Sequence, residues 1–321
     1  MKKALAVFAT LLPALAIHAA PTPKWNIVTL GNLGAGGTIA QGVNNRGEIV
    51  GYGHTASGEI HAFYWASGTL TDAGAWFPRF PGSLYAINDQ GLAVGTGNGT
   101  EVVLWKDGVW TSPNIAEGTP VDINKSGDIA GTRWTGSRSV GYLYSNGVMT
   151  QYAPAQTWLS AGVTSVNDRG VVAGWTSLDW GVRHAFVGKD GAMTDLGTFG
   201  GNVSTAWDIN NHGVAVGTAA DASGQTKAFV YDGVMQPVCG LGAGSEALGI
   251  NDRGAIIGFI GLQGFLCQDG ALTILNDIPE VQAAGWRQMF PQDINERGWI
   301  VGWGFKTGGS PNGEAFVLMP K

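Results

Sequence analysis

The sequence of 321 residues is poor in charge, cysteine and histidine: 13% of it is charged, and it holds 2 Cys and 5 His. Soluble domains are usually ~25% charged. With 18 Lys and Arg against 24 Asp and Glu, a net −6, the chain has no electrostatic footprint for a phosphate backbone. Nucleic acid is therefore not expected as a partner. Two cysteines cannot build the disulfide framework of a small secreted domain, and a chain this long buries a core without one. Long apolar runs are missing beyond the first twenty residues, so no transmembrane segment is expected. What is abundant is glycine, 52 residues, each costing a helix interior about 1 kcal/mol. That excludes an all-helical fold. Disorder is excluded as well, because 44% of the chain is hydrophobic, with 13 Trp, 12 Phe and 7 Tyr available to offset chain entropy.

Residues 1–20, MKKALAVFATLLPALAIHAA, place two lysines before an apolar run and end in small residues. The run is shorter than the ~20 residues of a spanning helix, and the layout is that of a secretory signal peptide. The sequence thus predicts an exported protein, secreted or periplasmic, with a single domain over residues 21–321.

One pattern recurs along that domain: VNNRGEIVG at Val43, INDQGLAVG at Ile87, INKSGDIAG at Ile123, VNDRGVVAG at Val166, INNHGVAVG at Ile209, INDRGAIIG at Ile250 and INERGWIVG at Ile294. Asn followed by two residues and Gly closes a tight turn, since the Asn side chain bonds onward to the backbone and Gly accepts positive φ. Each copy reads as a hairpin, strand a to strand b. A second hairpin, c to d, follows in six copies, and Asp-Gly or Asn-Gly marks its turn in five of them, as in VVLWKDGVWTS at Val102. A unit of about 42 residues suits four short strands. The seventh copy ends at EAFVLMP without a strand d, while WNIVTLGNLG at Trp25 resembles the d segment MTDLGTFGG at Met193. The expected architecture is all-β: a seven-bladed β-propeller of four-stranded blades, the last completed by the N-terminal strand, which removes the exposed edges of an open array. Cys239 and Cys267 fall at opposite strand ends of neighbouring repeats in this scheme, beyond the ~7 Å between Cα atoms that a bridge tolerates. They are expected to be unpaired.

MTDLGTFGGNVSTAWDINNHGVAVG at Met193, with HAFYW at His61 and HAFVG at His184, resembles the HAF-repeat family of bacterial extracellular repeat proteins. The resemblance covers nearly the whole of the exported chain. It implies an exported bacterial repeat protein and brings no activity, cofactor or catalytic residue with it. The triplet is intact only at His61 and His184; Lys227, Gln263 and Glu314 hold the His position elsewhere. These positions therefore cannot form a ring of like metal ligands, and no cofactor or metal is expected. Asp122, Asp208 and Asp293 precede the turn's β-branched residue in three copies, where hydrogen bonding within or between blades is the expected role.

The long b–c loops and d-to-a linkers differ from ordinary polar loops. They carry Trp76, Phe77, Arg79 and Phe80; Arg133, Trp134 and Arg138; Trp158, Trp180 and Arg183; and Trp286, Arg287 and Phe290. Aromatics with arginines on one face have the composition of a binding surface. Trp76, Arg79, Arg133, Trp134, Trp158, Trp180, Arg183, Trp286 and Arg287 are the candidate binding residues, for a glycan or protein partner. An enzyme would need two carboxylates, or a His and a carboxylate, converging at the channel mouth, and the acids of this face, Glu117, Asp179, Glu246 and Glu280, show no repeated pairing. A non-enzymatic binding protein is the expectation, with an extracellular polysaccharide hydrolase or lyase as the alternative.

Overall fold

The computed structural model describes residues 24–74, 82–97, 100–115 and 118–321. The chain is a β-propeller of antiparallel four-stranded units, in strand order a, b, c, d from the axis outward. The innermost strands are Gly34–Val43, Ser83–Ile87, Gly118–Ile123, Ala161–Val166, Gly200–Ile209, Ser245–Ile250 and Trp286–Ile294. Trp25–Thr29 pairs antiparallel with Glu314–Pro320, from Trp25 opposite Pro320 to Thr29 opposite Phe316.

Seven separate four-stranded sheets are expected from the repeats, but there are five, beside one eight-stranded sheet. The cause is local. After the fourth repeat's strand d the chain passes so close to strand Val182–Lys189 that Arg183 and Val203 form a parallel pair, which ties the fourth and fifth repeats together.

The Asn of each turn explains the motif. In every repeat the Asn Oδ1 accepts two backbone N–H groups, for Asn210 those of His212 at 3.0 Å and Val214 at 3.0 Å. Its Nδ2 donates to the backbone carbonyl of the next repeat's Asn: Asn44 to Asn88, Asn88 to Asn124, Asn124 to Asn167, Asn167 to Asn210, Asn210 to Asn251, Asn251 to Asn295, and Asn295 back to Asn44. All seven side chains are buried. A buried amide left without partners is costly, and here the oxygen and the nitrogen are both used in every copy.

The motif's last Gly has a different cause. At Gly217 an added Cβ would collide with the carbonyl oxygen of Thr205, and the Phe229 ring packs over the same spot. Strands a and b can approach because that side chain is missing. The HAF triplet divides its work in the same way: Phe63 and Phe186 are fully buried core, as are Ala62 and Ala185. His61 and His184 bond the carboxylates of Asp72 and Asp195 on strand d at 3.0 and 2.9 Å.

Cys239 and Cys267 form a disulfide with Cα atoms 6.1 Å apart, which corrects the expectation of free thiols. That expectation carried strand d of the fifth repeat to the far end of the sheet. Strand d is only Met235–Pro237. The chain leaves it at Pro237 and turns through Val238–Gly240, with Cys239 at φ 45°, and so reaches the sixth repeat's strand Gln263–Gln268 beside Cys267.

Candidate binding face

A β-bulge interrupts every innermost strand one residue before the position of Asp122, Asp208 and Asp293. A bulge inserts an unpaired residue and re-aims its side chain. The seven inserted residues, Gln41, Tyr85, Val121, Thr164, Trp207, Leu248 and Gln292, line a cavity of about 130 Å³ inside the channel. This ring has no fixed residue signature in the sequence. Its one legible signal is that aromatics stand at the same repeat position in Tyr85 and Trp207. Both fold back to a threonine of strand b: Tyr85 Oη lies 2.9 Å from Thr96 Oγ1, and Trp207 Nε1 donates to Thr218 Oγ1 at 3.3 Å.

The three aspartates stand between that cavity and a second one of about 190 Å³ at the Asn-turn end. Each accepts the N–H of the residue after it and one N–H of the following repeat: Val166 to Asp122, Ile250 to Asp208 and Val43 to Asp293, all at 2.8 Å. Ser165 Oγ lies 3.0 Å from Asp122 and 2.7 Å from Asp208. These are clamps between repeats. Burial pushes the carboxyl of Asp122 up to about 6 and that of Asp293 to about 7, and raises that of Asp208, against the hydrogen bonds that lower them. Among the described residues no group of three or more His, Cys, Asp or Glu is placed to hold a metal ion.

On the long-loop face, Trp158 is 54% and Trp180 87% exposed. Their rings lie 6.2 Å apart and 16° from parallel. Arg138 braces the loop that carries Trp158, its Nη1 donating to the carbonyls of Pro154, Gln156 and Leu159. Trp134 is also exposed. Arg133 is half-buried and turned toward Met149, its Nη1 3.5 Å from the sulfur. Arg287 donates from Nε to Thr307 Oγ1 at 2.9 Å. Trp286 is core rather than surface: it is 4% exposed and packs edge-on against Phe316 at 5.4 Å, because it begins the seventh repeat's strand a in place of belonging to the linker. Trp76 and Arg79, with Phe77, Phe80 and Glu117, lie outside the described residues.

Arg183 sits three residues beyond Trp180, at the start of strand Val182–Lys189, with its guanidinium 5.5 Å from the centre of the Trp175 ring. It opens onto a cleft of about 150 Å³ whose other lining includes Thr205, Trp207, Thr218, Thr226 and Glu246. Burial raises the carboxyl of Glu246 above its ordinary value.

Four-stranded antiparallel units around a channel define the class as β-propeller, and comparison with solved structures agrees. The extracellular domain of a hybrid two-component system from B. thetaiotaomicron matches with a TM-score of 0.58 at 10% identity over 92% of this chain and 40% of that one. This chain spans about two fifths of the length of the two neighbours of that kind. The β-propeller domain of the Trilobed protease from Pyrococcus furiosus, which has an open velcro topology, matches with a TM-score of 0.51 at 10% identity over 88% of this chain and 95% of its own. An oligogalacturonate lyase in complex with manganese matches with 0.54 at 11% identity over 93% and 97%. At such identities the likeness is one of fold. No protein-family model and no curated protein matches the chain. Among the described residues no helix is long and apolar enough to cross a membrane.

Proposed function

We propose that the chain is an exported repeat protein of the HAF kind, a seven-unit propeller closed by its own N-terminal strand, which binds a glycan or protein partner through its long-loop face without catalysis. The single parallel pair of Arg183 and Val203 is a contact between two units rather than a merger of them, so the repeat count stays the unit count. The five residue pairs between Trp25–Thr29 and Glu314–Pro320 support closure. A disulfide in a chain that begins with the layout of a signal peptide supports an oxidising compartment.

The observation that carries the binding reading is the pair Trp158 and Trp180, two exposed indoles from separate loops, held nearly parallel. Solvent-exposed indoles are costly to hydrate, and an exposed indole face suits the apolar face of a sugar ring or a partner's side chain. For the hydrolase or lyase reading, the acids of this face stand apart: Asp179 caps the N–H of Trp180, Glu280 takes that of Trp25, and Glu246 lines the cleft. A glycan array with the exported chain tests the reading. Binding without turnover is expected, whereas turnover of a bound polysaccharide would make the protein an enzyme, and binding to no glycan or protein would remove the reading.

A further inference from the structure

Polar side chains along the channel are mostly spent on one another. Thr164 Oγ1 donates to the carbonyls of Ala173 and Ala206, Tyr85 bonds Thr96, and Ser165 bridges Asp122 and Asp208. The cleft at the fifth repeat departs from this. Arg183 comes to it from the fourth repeat and Glu246 from the sixth, with Thr205 and Thr226 of the fifth between them. Among the described residues no ion pair joins Arg183 to Glu246, and neither side chain has a hydrogen bond there. Trp207 supplies an indole wall, oriented by its bond to Thr218. A cation, a carboxyl group, free hydroxyls and an aromatic face thus converge on a space of about 150 Å³. Unspent polar groups around a cavity define the hydrogen-bond pattern of what fills it.

We propose that this cleft seats one hexuronate ring. The ring's carboxylate lies on Arg183, its hydroxyls donate to Glu246 and exchange hydrogen bonds with Thr205 and Thr226, and its C–H face lies on Trp207. Size limits the occupant to one ring: a cleft of about 150 Å³ that is open to solvent seats part of one pyranose and leaves the rest of the ring in water. Charge supports the acid: a guanidinium fork matches a carboxylate in two parallel bonds, and a neutral hexose leaves that fork unpaired. Glu246 serves the sugar rather than an ammonium group because the remaining lining is, apart from Val203, hydroxyl and indole, which match a polyol ring and not a short zwitterion. The inference rests on the reading of the long-loop face as a glycan-binding surface, and it adds the class of sugar and the residues that select it.

Calorimetry of the exported chain with free galacturonate, galactose, glucuronate and glucose tests it, alongside Arg183→Gln, Glu246→Gln and the double variant Trp158→Ala/Trp180→Ala. At least one uronate is expected to bind more tightly than its neutral counterpart. Arg183→Gln should weaken that uronate by about ten- to a hundredfold and leave the neutral sugar within about threefold, the ratio expected from losing a charged hydrogen-bond pair. Glu246→Gln should weaken both sugars, since it removes an acceptor of ring hydroxyls. Arg183 is exposed, so its variant folds. Equal affinity for acid and neutral sugars, no effect of Arg183→Gln, or binding of none of the four overturns the cleft assignment. The two readings fail separately. If the tryptophan double variant loses oligosaccharides while acid and neutral sugars stay equal, the face stands and the cleft falls. If the uronate preference survives that variant intact, the cleft stands without the tryptophan platform.

Discussion

The side-chain amide of Asn295 donates to the backbone carbonyl of Asn44 at 2.8 Å, across 251 residues of sequence. The same bond joins Asn210 to Asn251 at 3.1 Å, across 41. One local turn residue therefore also links each repeat to the next. Each Asn side chain makes two bonds that shape its own turn and one that couples it to its neighbour, and Asn44 and Asn124 add a fourth to Glu48 and Asp128 of their own turns.

Removing one link tests that coupling. Asn210→Ala deletes three buried hydrogen bonds and leaves the Asn251 carbonyl with the N–H of Gly254 as its remaining donor, so it should cost about 2–4 kcal/mol. Asn210→Asp keeps the oxygen that shapes the turn but sets a carboxylate oxygen against that carbonyl, and it should cost at least as much. Chemical denaturation measures both; a cost below about 0.5 kcal/mol, the size of an ordinary surface substitution, would contradict the role.

The disulfide gives a second test. Closing a loop of 28 residues between Cys239 and Cys267 stabilises the fold by about 3–4 kcal/mol in the chain-entropy account. Cys239→Ser/Cys267→Ser, or a reductant, should lower the melting temperature. Intact protein should weigh about two daltons less than its reduced form, as expected where the compartment favours pairing. Equal masses would show the thiols free.

Stability should depend on pH through the buried aspartates. Asp122 and Asp293 have carboxyls raised to about 6 and about 7, and Asp208 is raised as well. Between the ordinary value and these, the folded chain holds protons that the unfolded chain has lost, so stability is greatest at the acid side of the window and falls as pH rises. The slope is at most ~1.4 kcal/mol per pH unit for each group. Unfolding at pH 5 and at pH 7.5 measures it. Asp293→Asn should flatten the fall, although it weakens the clamp on Val43; an unchanged slope, or stability that rises over this window, contradicts the assignment.

Closure is tested by deleting Trp25–Leu33. This removes the partner of strand Glu314–Pro320 and two buried side chains, Trp25 and Leu30. It should lower the melting temperature steeply by exposing a strand edge. A truncated chain that melts with its parent would mean that the ring does not depend on the N-terminal strand.

The fold was legible where chemistry repeats. Asn and Gly at fixed offsets revealed the turns, and Asp107-Gly108 and Asn146-Gly147 adopt the positive φ angles that their hairpins need. Features set by a single departure from the repeat were not legible. Strand Met235–Pro237 is short because the chain turns away after Pro237, and no spacing argument reveals that Cys239 then meets Cys267. Trp286 reads as a loop aromatic but opens a strand of nine residues. The bulge that turns Trp207 into the channel is a backbone event with no fixed residue signature, since Gln, Tyr, Val, Thr, Trp and Leu all occupy its position. Trp158, Trp180 and Arg183 stand out in the sequence as candidates because aromatics and arginines are unusual in loops.

The binding face stands or falls on a comparison of two pairs of tryptophans. Trp158 and Trp180 are exposed, whereas Trp65 and Trp105 are each 5% exposed on strand c. With ligand affinity and melting temperature measured on the same samples, Trp158→Ala/Trp180→Ala should lose glycan or partner binding and melt within a degree or two of the parent. Trp65→Ala and Trp105→Ala should each cost ~3–5 kcal/mol of stability. If the exposed pair costs as much stability as the buried pair, or if binding survives its removal, the long-loop face is packing and the proposed function is wrong.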